Sequence, residues 1–278
     1  MSKRIALTII VFTLHIGLKA SVPDRPVAGS GAALGQTGIT INSPWSSMQN
    51  PAMLAWQNYY WAGIHHENRY LTQELGLSSI GATIPTNPGT FGINISHFGY
   101  NQFNTTRIGV SYGMKFSEKF SAGVGLNFHH LQIAGDYNNQ NAYTVEGGLF
   151  YTPIEKITLC AYIFNPTRAS FNEHESLPPI FGLGITYIPS KKLLLVLQID
   201  DDTENKPAIR GGVEYKALNN FSIRLGYSSG NPEGLTGGFG WSFRGIQADL
   251  SFGYHRVLGY TPQLSVSYQF GKKSDKLE

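Results

Sequence analysis

From about Tyr59 to Phe270 the chain alternates large apolar residues with small or polar ones almost without pause. In "GIQADLSFGYH", Ile246, Ala248, Leu250, Phe252 and Tyr254 alternate with Gln247, Asp249, Ser251, Gly253 and His255. Successive side chains of an extended backbone point to opposite faces, so one face here is unbroken oil and the other carries a carboxylate. "TRIGVSYGMKF", "FSIRLGY" and "LSVSYQF" repeat the pattern. Period-2 reading places strands at 58–66, 75–84, 90–99, 105–116, 120–132, 142–152, 156–164, 179–188, 192–200, 207–216, 220–228, 234–243, 246–255 and 260–270. These segments have the length of a tilted strand crossing a bilayer, roughly 9–11 residues. A soluble β-sandwich is the competing answer, but it uses strands of roughly 5–6 residues and about seven to nine of them.

The joints supply the second constraint. Starting after the strand at 75–84, every other connection is tight: "PTNPG", "SEK", "PIEK", "PSKK", "ALNN" and "RG". Asn, Gly, Pro and Ser are the residues of hairpin turns. The alternate joints, such as "GDYNNQNA" and "NPTRASFNEHESLPP", are mostly longer. Short turns at one end, longer loops at the other and an even strand count are the signature of an outer-membrane barrel. Aromatic residues near segment ends, including Tyr59, Tyr60, Phe116, Tyr151, Tyr187 and Phe270, fit its interfacial girdles. The expected fold is therefore all-β: a fourteen-stranded antiparallel transmembrane β-barrel over 58–270, followed by a polar C-terminal tail at 271–278.

Composition narrows function. Charged residues make up 14% of the 278, the formal net charge is +3, and 32 glycines accompany 15 tyrosines and 16 phenylalanines. No basic cluster tracks one face, so nucleic-acid binding has no electrostatic footprint. Residues 1–20 read as a signal peptide: Lys3 and Arg4, the apolar run "IALTIIVFTLHIGL", then Ala20. That reading implies export and integral residence in the outer membrane, with lipid and lipopolysaccharide around the wall. The single cysteine, Cys160, excludes an intrachain disulfide.

The inward-facing residues are the candidates for function. Arg107, Lys115, Glu146, Arg210, Glu214, Arg224, Arg244, Asp249 and His255 fall on the luminal side. Six of them, Arg107, Glu146, Arg210, Glu214, Arg224 and Asp249, form the expected charge network. It is either a constriction or a set of mutually paired charges, and buried charges are ordinarily paired. Phe150, Tyr162, Phe164, Leu194 and Val196 also turn inward and make an apolar wall in a polar lumen. Such a wall receives either an apolar ligand or the plug. The histidine pairs His65–His66 and His129–His130 straddle opposite faces of a strand, so neither chelates as a unit. "DDDTEN", Asp200 to Asn205, lacks the Gly and Glu of a calcium loop and reads as solvated acids. No nucleophile elbow or metal-ligand spacing appears, so no catalytic residue, metal or cofactor is expected.

Three stretches carry a family likeness. "GAALGQTGITINSPWSSMQNPAMLA" resembles the entry segment of FadL-like outer-membrane proteins, nearest to the PorV/PorQ group linked to type IX protein secretion. "LPPIFGLGITYIPSKKLLLVLQID" resembles that group's middle hairpin, and "IRGGVEYKALNNFSIRLGYSSG" with the strands after it resembles its C-terminal half. The general strand pattern also resembles PorP/SprF-like secretion and gliding barrels. The likeness implies that residues 21–57 fold into the lumen as a plug, with Asn50, Pro51 and Ala52 at its hatch. It implies a non-enzymatic accessory role in secretion, binding secretion-system proteins or secreted cargo, or else a FadL-like route for a hydrophobic ligand.

Overall fold

The computed structural model describes residues 25–135, 139–172, 175–230 and 232–272. Fourteen antiparallel strands follow one another around a closed barrel: β1 Tyr59–Asn68, β2 Gly76–Pro85, β3 Gly89–Tyr100, β4 Phe103–Lys115, β5 Phe120–Ile133, β6 Gln140–Ile154, β7 Ile157–Phe164, β8 Ile180–Ser190, β9 Leu193–Asp202, β10 Ala208–Leu218, β11 Phe221–Ser228, β12 Gly234–Phe243, β13 Ile246–His255 and β14 Gly259–Lys272. β1 pairs with β14 from Tyr60↔Phe270 to Glu67↔Gln263, which leaves no edge unpaired. A closed sheet is the one β structure that satisfies its own backbone in hydrocarbon. The boundaries agree with the period-2 reading to within a few residues, and β14 takes the first two residues assigned to the polar tail. The signal-peptide stretch and residues 273–278 lie outside the described residues.

Exposure alternates as the sequence does. In β13, Leu250 is 40% exposed and Phe252 42%, whereas Ser251 between them is 2% and Asp249 before them 1% exposed. Large apolar side chains therefore point away from the barrel axis on every strand, which is stable only with hydrocarbon as the outer solvent. Among the described residues no helix is long and apolar enough to cross a membrane. The tight connections at 86–88, 116–119, 155–156, 191–192, 219–220 and 244–245 share one end of the barrel. At 244–245, Arg244 (φ 48°) and Gly245 (φ 86°) both take positive φ, the two-residue hairpin geometry matched to strand twist. The ladder shifts register only near this end, at Tyr59/Tyr60, Tyr151/Ile154, Tyr187/Ser190 and Lys216/Leu218.

The lumen is filled by the chain that precedes β1. Residues 25–57 run through it as irregular backbone with two short helical turns, Ser30–Ala33 and Ser46–Gln49, and a 3-10 helix, Pro51–Trp56. Two sequence features make room and supply bonds. Inward glycines let the plug backbone touch the wall: a Cβ on Gly212 would lie 2.7 Å from Leu34 Cα. Inward polar side chains then serve plug backbone that has no ladder of its own. Ser265 Oγ accepts from Gly29 N at 2.8 Å, Thr236 Oγ1 accepts from Gly35 N at 2.8 Å, and Gln198 Oε1 accepts from Gly38 N at 3.0 Å. Ser121 Oγ donates to Ala52 O at 2.8 Å and Asn94 Nδ2 to Ser47 O at 3.1 Å.

Candidate functional site: the plugged lumen and its outer basin

Asn50, Pro51 and Ala52 sit at the centre of the plug. Asn50 is fully buried; its Nδ2 donates to Ile39 O at 2.9 Å and its Oδ1 accepts from Ala52 N at 3.0 Å. One side chain thus caps the 3-10 helix and ties it to the preceding loop. Pro51 stands at the first turn of that helix, where its missing donor costs nothing. A side chain on Gly148 of β6 would collide with Asn50 Oδ1, and one on Gly123 of β5 would collide with Pro51.

Four of the five apolar-wall residues are buried: Phe150, Tyr162, Phe164 and Val196. Phe150, Tyr162 and Phe164 pack with Cys160 against Ile39, Ala52 and Met53 of the plug. Trp56 lies 5.1 Å from Phe150, centroid to centroid. Leu194 shares their inward phase but is only half-buried and stands outside that cluster.

The charges resolve into pairs. Arg224 donates from Nε to Glu214 Oε2 at 2.6 Å and from Nη1 to Asp249 Oδ1 at 2.5 Å. Arg107 donates from Nη2 to Glu146 Oε2 at 3.1 Å, and the same oxygen accepts from the Tyr162 hydroxyl at 2.6 Å. Arg210 pairs with Asp200 at 3.0 Å. Asp200 is therefore a luminal partner on β9 rather than one of the solvated acids of the following loop. Lys115 and Arg244 lie outside these pairs: the first, at the end of β4, stands over Trp56, and the second is exposed in its hairpin turn. His255 ends β13, where its Nδ1 accepts from Val257 N and Leu258 N.

Above the plug, at the end with the longer connections, a cavity of about 580 Å³ opens. Its floor is plug: Arg25, Gln36, Gly38, Ile39 and Gln49. Phe98, Phe103 and Ile180 give it apolar walls, and the pairs Glu67–Arg69 and Asp200–Arg210 line two sides. Arg25 is the element that composition and period did not single out. Its guanidinium lies 4.0 Å above the Tyr162 ring and donates to Gln49 O at 2.9 Å, and among the described residues no carboxylate pairs with it. Beside the rim, Tyr70 donates its backbone N–H to Thr261 Oγ1 at 3.2 Å, and burial pushes its phenol above the ordinary value. No group of acids, histidines and cysteine among the described residues is arranged to hold a metal.

No family model matches the sequence, and no curated protein matches it. The solved structures it resembles include transporter and channel proteins. The toluene transporter TbuX of Ralstonia pickettii is 12% identical with a TM-score of 0.60, over 87% of this chain and 97% of that one. A deltaS2 mutant of the TodX monoaromatic hydrocarbon channel is 12% identical with a TM-score of 0.66, over 88% and 99%. A FadL homologue of Pseudomonas aeruginosa is 13% identical with a TM-score of 0.63, over 90% and 99%. These likenesses establish the fold as one used by transporter and channel barrels.

Proposed function

We propose that this chain is an outer-membrane barrel that takes up a hydrophobic small molecule at its outer basin and releases it inward when the plug shifts at Asn50–Ala52. The observation that carries this reading is the basin itself. Its volume lies within the range of small-molecule sites, roughly 300–1,000 Å³, and Phe98, Phe103 and Ile180 give it an apolar patch among charged pairs, over a floor formed by the plug. The shared fold with proteins described as toluene transporters and a hydrocarbon channel supports it. The test is extraction of the detergent-purified protein followed by mass spectrometry, with uptake of a hydrophobic probe into proteoliposomes. Bound apolar ligand and plug-dependent uptake support the reading; an empty protein that gives no uptake overturns it.

A second reading has its own observation. Away from the turn-end irregularities the ladders run without register shifts among the described residues, and the plug fills the lumen below the basin. A sealed barrel acts through its surface, as an accessory of type IX secretion of the PorV/PorQ kind would. Co-purification of secretion components without apolar ligand would favour it.

A further inference from the structure

The outward face is not uniform around the barrel. On β10 to β14, apolar residues continue to the last outward position, at Ile209, Tyr227, Leu235, Tyr254 and Tyr260. On β1 to β6 they stop along one cross-strand row. Ile64, Ile80, Ile95, Ile108, Phe128 and Tyr143 pair in register across the six strands. The next outward row, toward the longer loops, is His66, Ser78, His97, Thr106, His130 and Asn141, again directly paired.

This row is organised. His66 Nδ1 meets Ser78 Oγ at 3.0 Å, His97 Nδ1 meets Thr106 Oγ1 at 3.0 Å, and His130 Nδ1 meets Asn141 Oδ1 at 2.8 Å. At the first two pairs Nε2 is the ring nitrogen left without a partner in the pair, and it is an N–H donor in the tautomer whose Nδ1 accepts from the hydroxyl. At the third pair Nδ1 donates to Oδ1, which leaves the Asn141 amide N–H as the outward donor. The result is a polar pair in each of the strand gaps β1–β2, β3–β4 and β5–β6, with outward groups roughly 10–14 Å apart at the usual strand spacing. The imidazoles are the only ionisable side chains of that outward row on β1–β6 among the described residues; Glu67, beside His66, is turned inward and paired with Arg69. The spacing is too wide for two histidines to share one metal ion, whose ligands must converge to roughly 2 Å.

We infer that this row is a docking site for the phosphorylated headgroups of the outer leaflet, lipid A phosphates lying side by side along β1–β6. The level of the row, where the apolar columns end on the side opposite the tight turns, is where such headgroups meet the wall. A surface of donors without acids complements an anion rather than a cation. The site is independent of what the lumen carries.

Native mass spectrometry of the purified full chain tests it, with lipid A, dephosphorylated lipid A, phosphatidylglycerol and phosphatidylethanolamine titrated separately. We expect preferential retention of lipid A over its dephosphorylated form. We also expect about a tenfold loss of that preference in His66→Ala/His97→Ala/His130→Ala, partly restored by His→Gln at the same positions. Equal retention of the two lipid A forms by the unaltered protein overturns the proposal without any variant. So does equal or better binding of phosphatidylglycerol, or an unchanged preference in a triple variant whose heat-modifiable gel migration shows an intact barrel.

Discussion

Asn50→Ala isolates the plug from the barrel. Removing the cap at Ala52 N costs about 1 kcal/mol by analogy with other N-caps. It also strips the buried Ile39 carbonyl of its donor, about 1–3 kcal/mol more. Alanine cannot replace either bond, and the closeness of Gly148 leaves a hole where the amide was. The plug should therefore open more easily by about 2–4 kcal/mol, and at 1.4 kcal/mol per decade its open population should rise by about 30- to 700-fold. Hydrogen exchange in detergent reads this directly. The amides of Asn50, Met53 and Gln57, bonded to Ser46, Asn50 and Leu54 carbonyls, should speed up by that factor, while ladder amides of β4 and β5 keep their rates. Asn50→Asp keeps the acceptor for Ala52 N but, when ionised, sets a buried carboxylate oxygen against Ile39 O, so it should speed exchange at least as much as alanine as pH rises. Unchanged exchange in the plug, or equal acceleration of plug and ladder, would refute the claim that this side chain latches a separately opening unit.

Three further outcomes follow from the same geometry. Gly148→Val places a side chain where Asn50 stands and should raise conductance in planar bilayers; Gly147→Ala, on the outward face, should leave it at the unaltered level. Arg224→Met strands Glu214 and Asp249 and should destabilise the barrel by about 3–5 kcal/mol in denaturant titration, most of it recovered when Glu214→Gln and Asp249→Asn are added; a single variant as stable as the parent would contradict the pairing. Leu250→Arg should cost about 2–4 kcal/mol in refolding into lipid vesicles if its position lies near the bilayer midplane. Equal refolding would argue against hydrocarbon at that face.

The wall was legible because its determinants are local. Alternation decides which face each side chain takes, and turn chemistry decides where strands end, so Leu250 and Asp249 could be assigned without knowing their neighbours. Opposition of adjacent residues likewise separated His65 and His129, which are buried inside, from His66 and His130 outside. Partners were harder. Glu214 and Arg224 share a hairpin and are visible together, but Asp200 finds Arg210 only once the fold fixes the register of β9 on β10. The plug's exact path was not readable at all. It has no period, and its geometry is imposed by glycines and hydroxyls scattered over distant strands, so the basin that it floors and the role of Arg25 could not have been placed from the chain alone.

Because the plug precedes β1 and lies inside the ring, the cylinder must close around it. The seam joins the earliest strand to the latest, and across it His65 Nδ1 meets Ser265 Oγ at 2.9 Å while that same oxygen holds Gly29. Closure of the longest loop in the molecule is the slowest kind of contact to make. Wall closure and plug anchoring thus share one hydroxyl, and a chain truncated before β14 would lose its wall's last joint and the lock on its contents in one stroke.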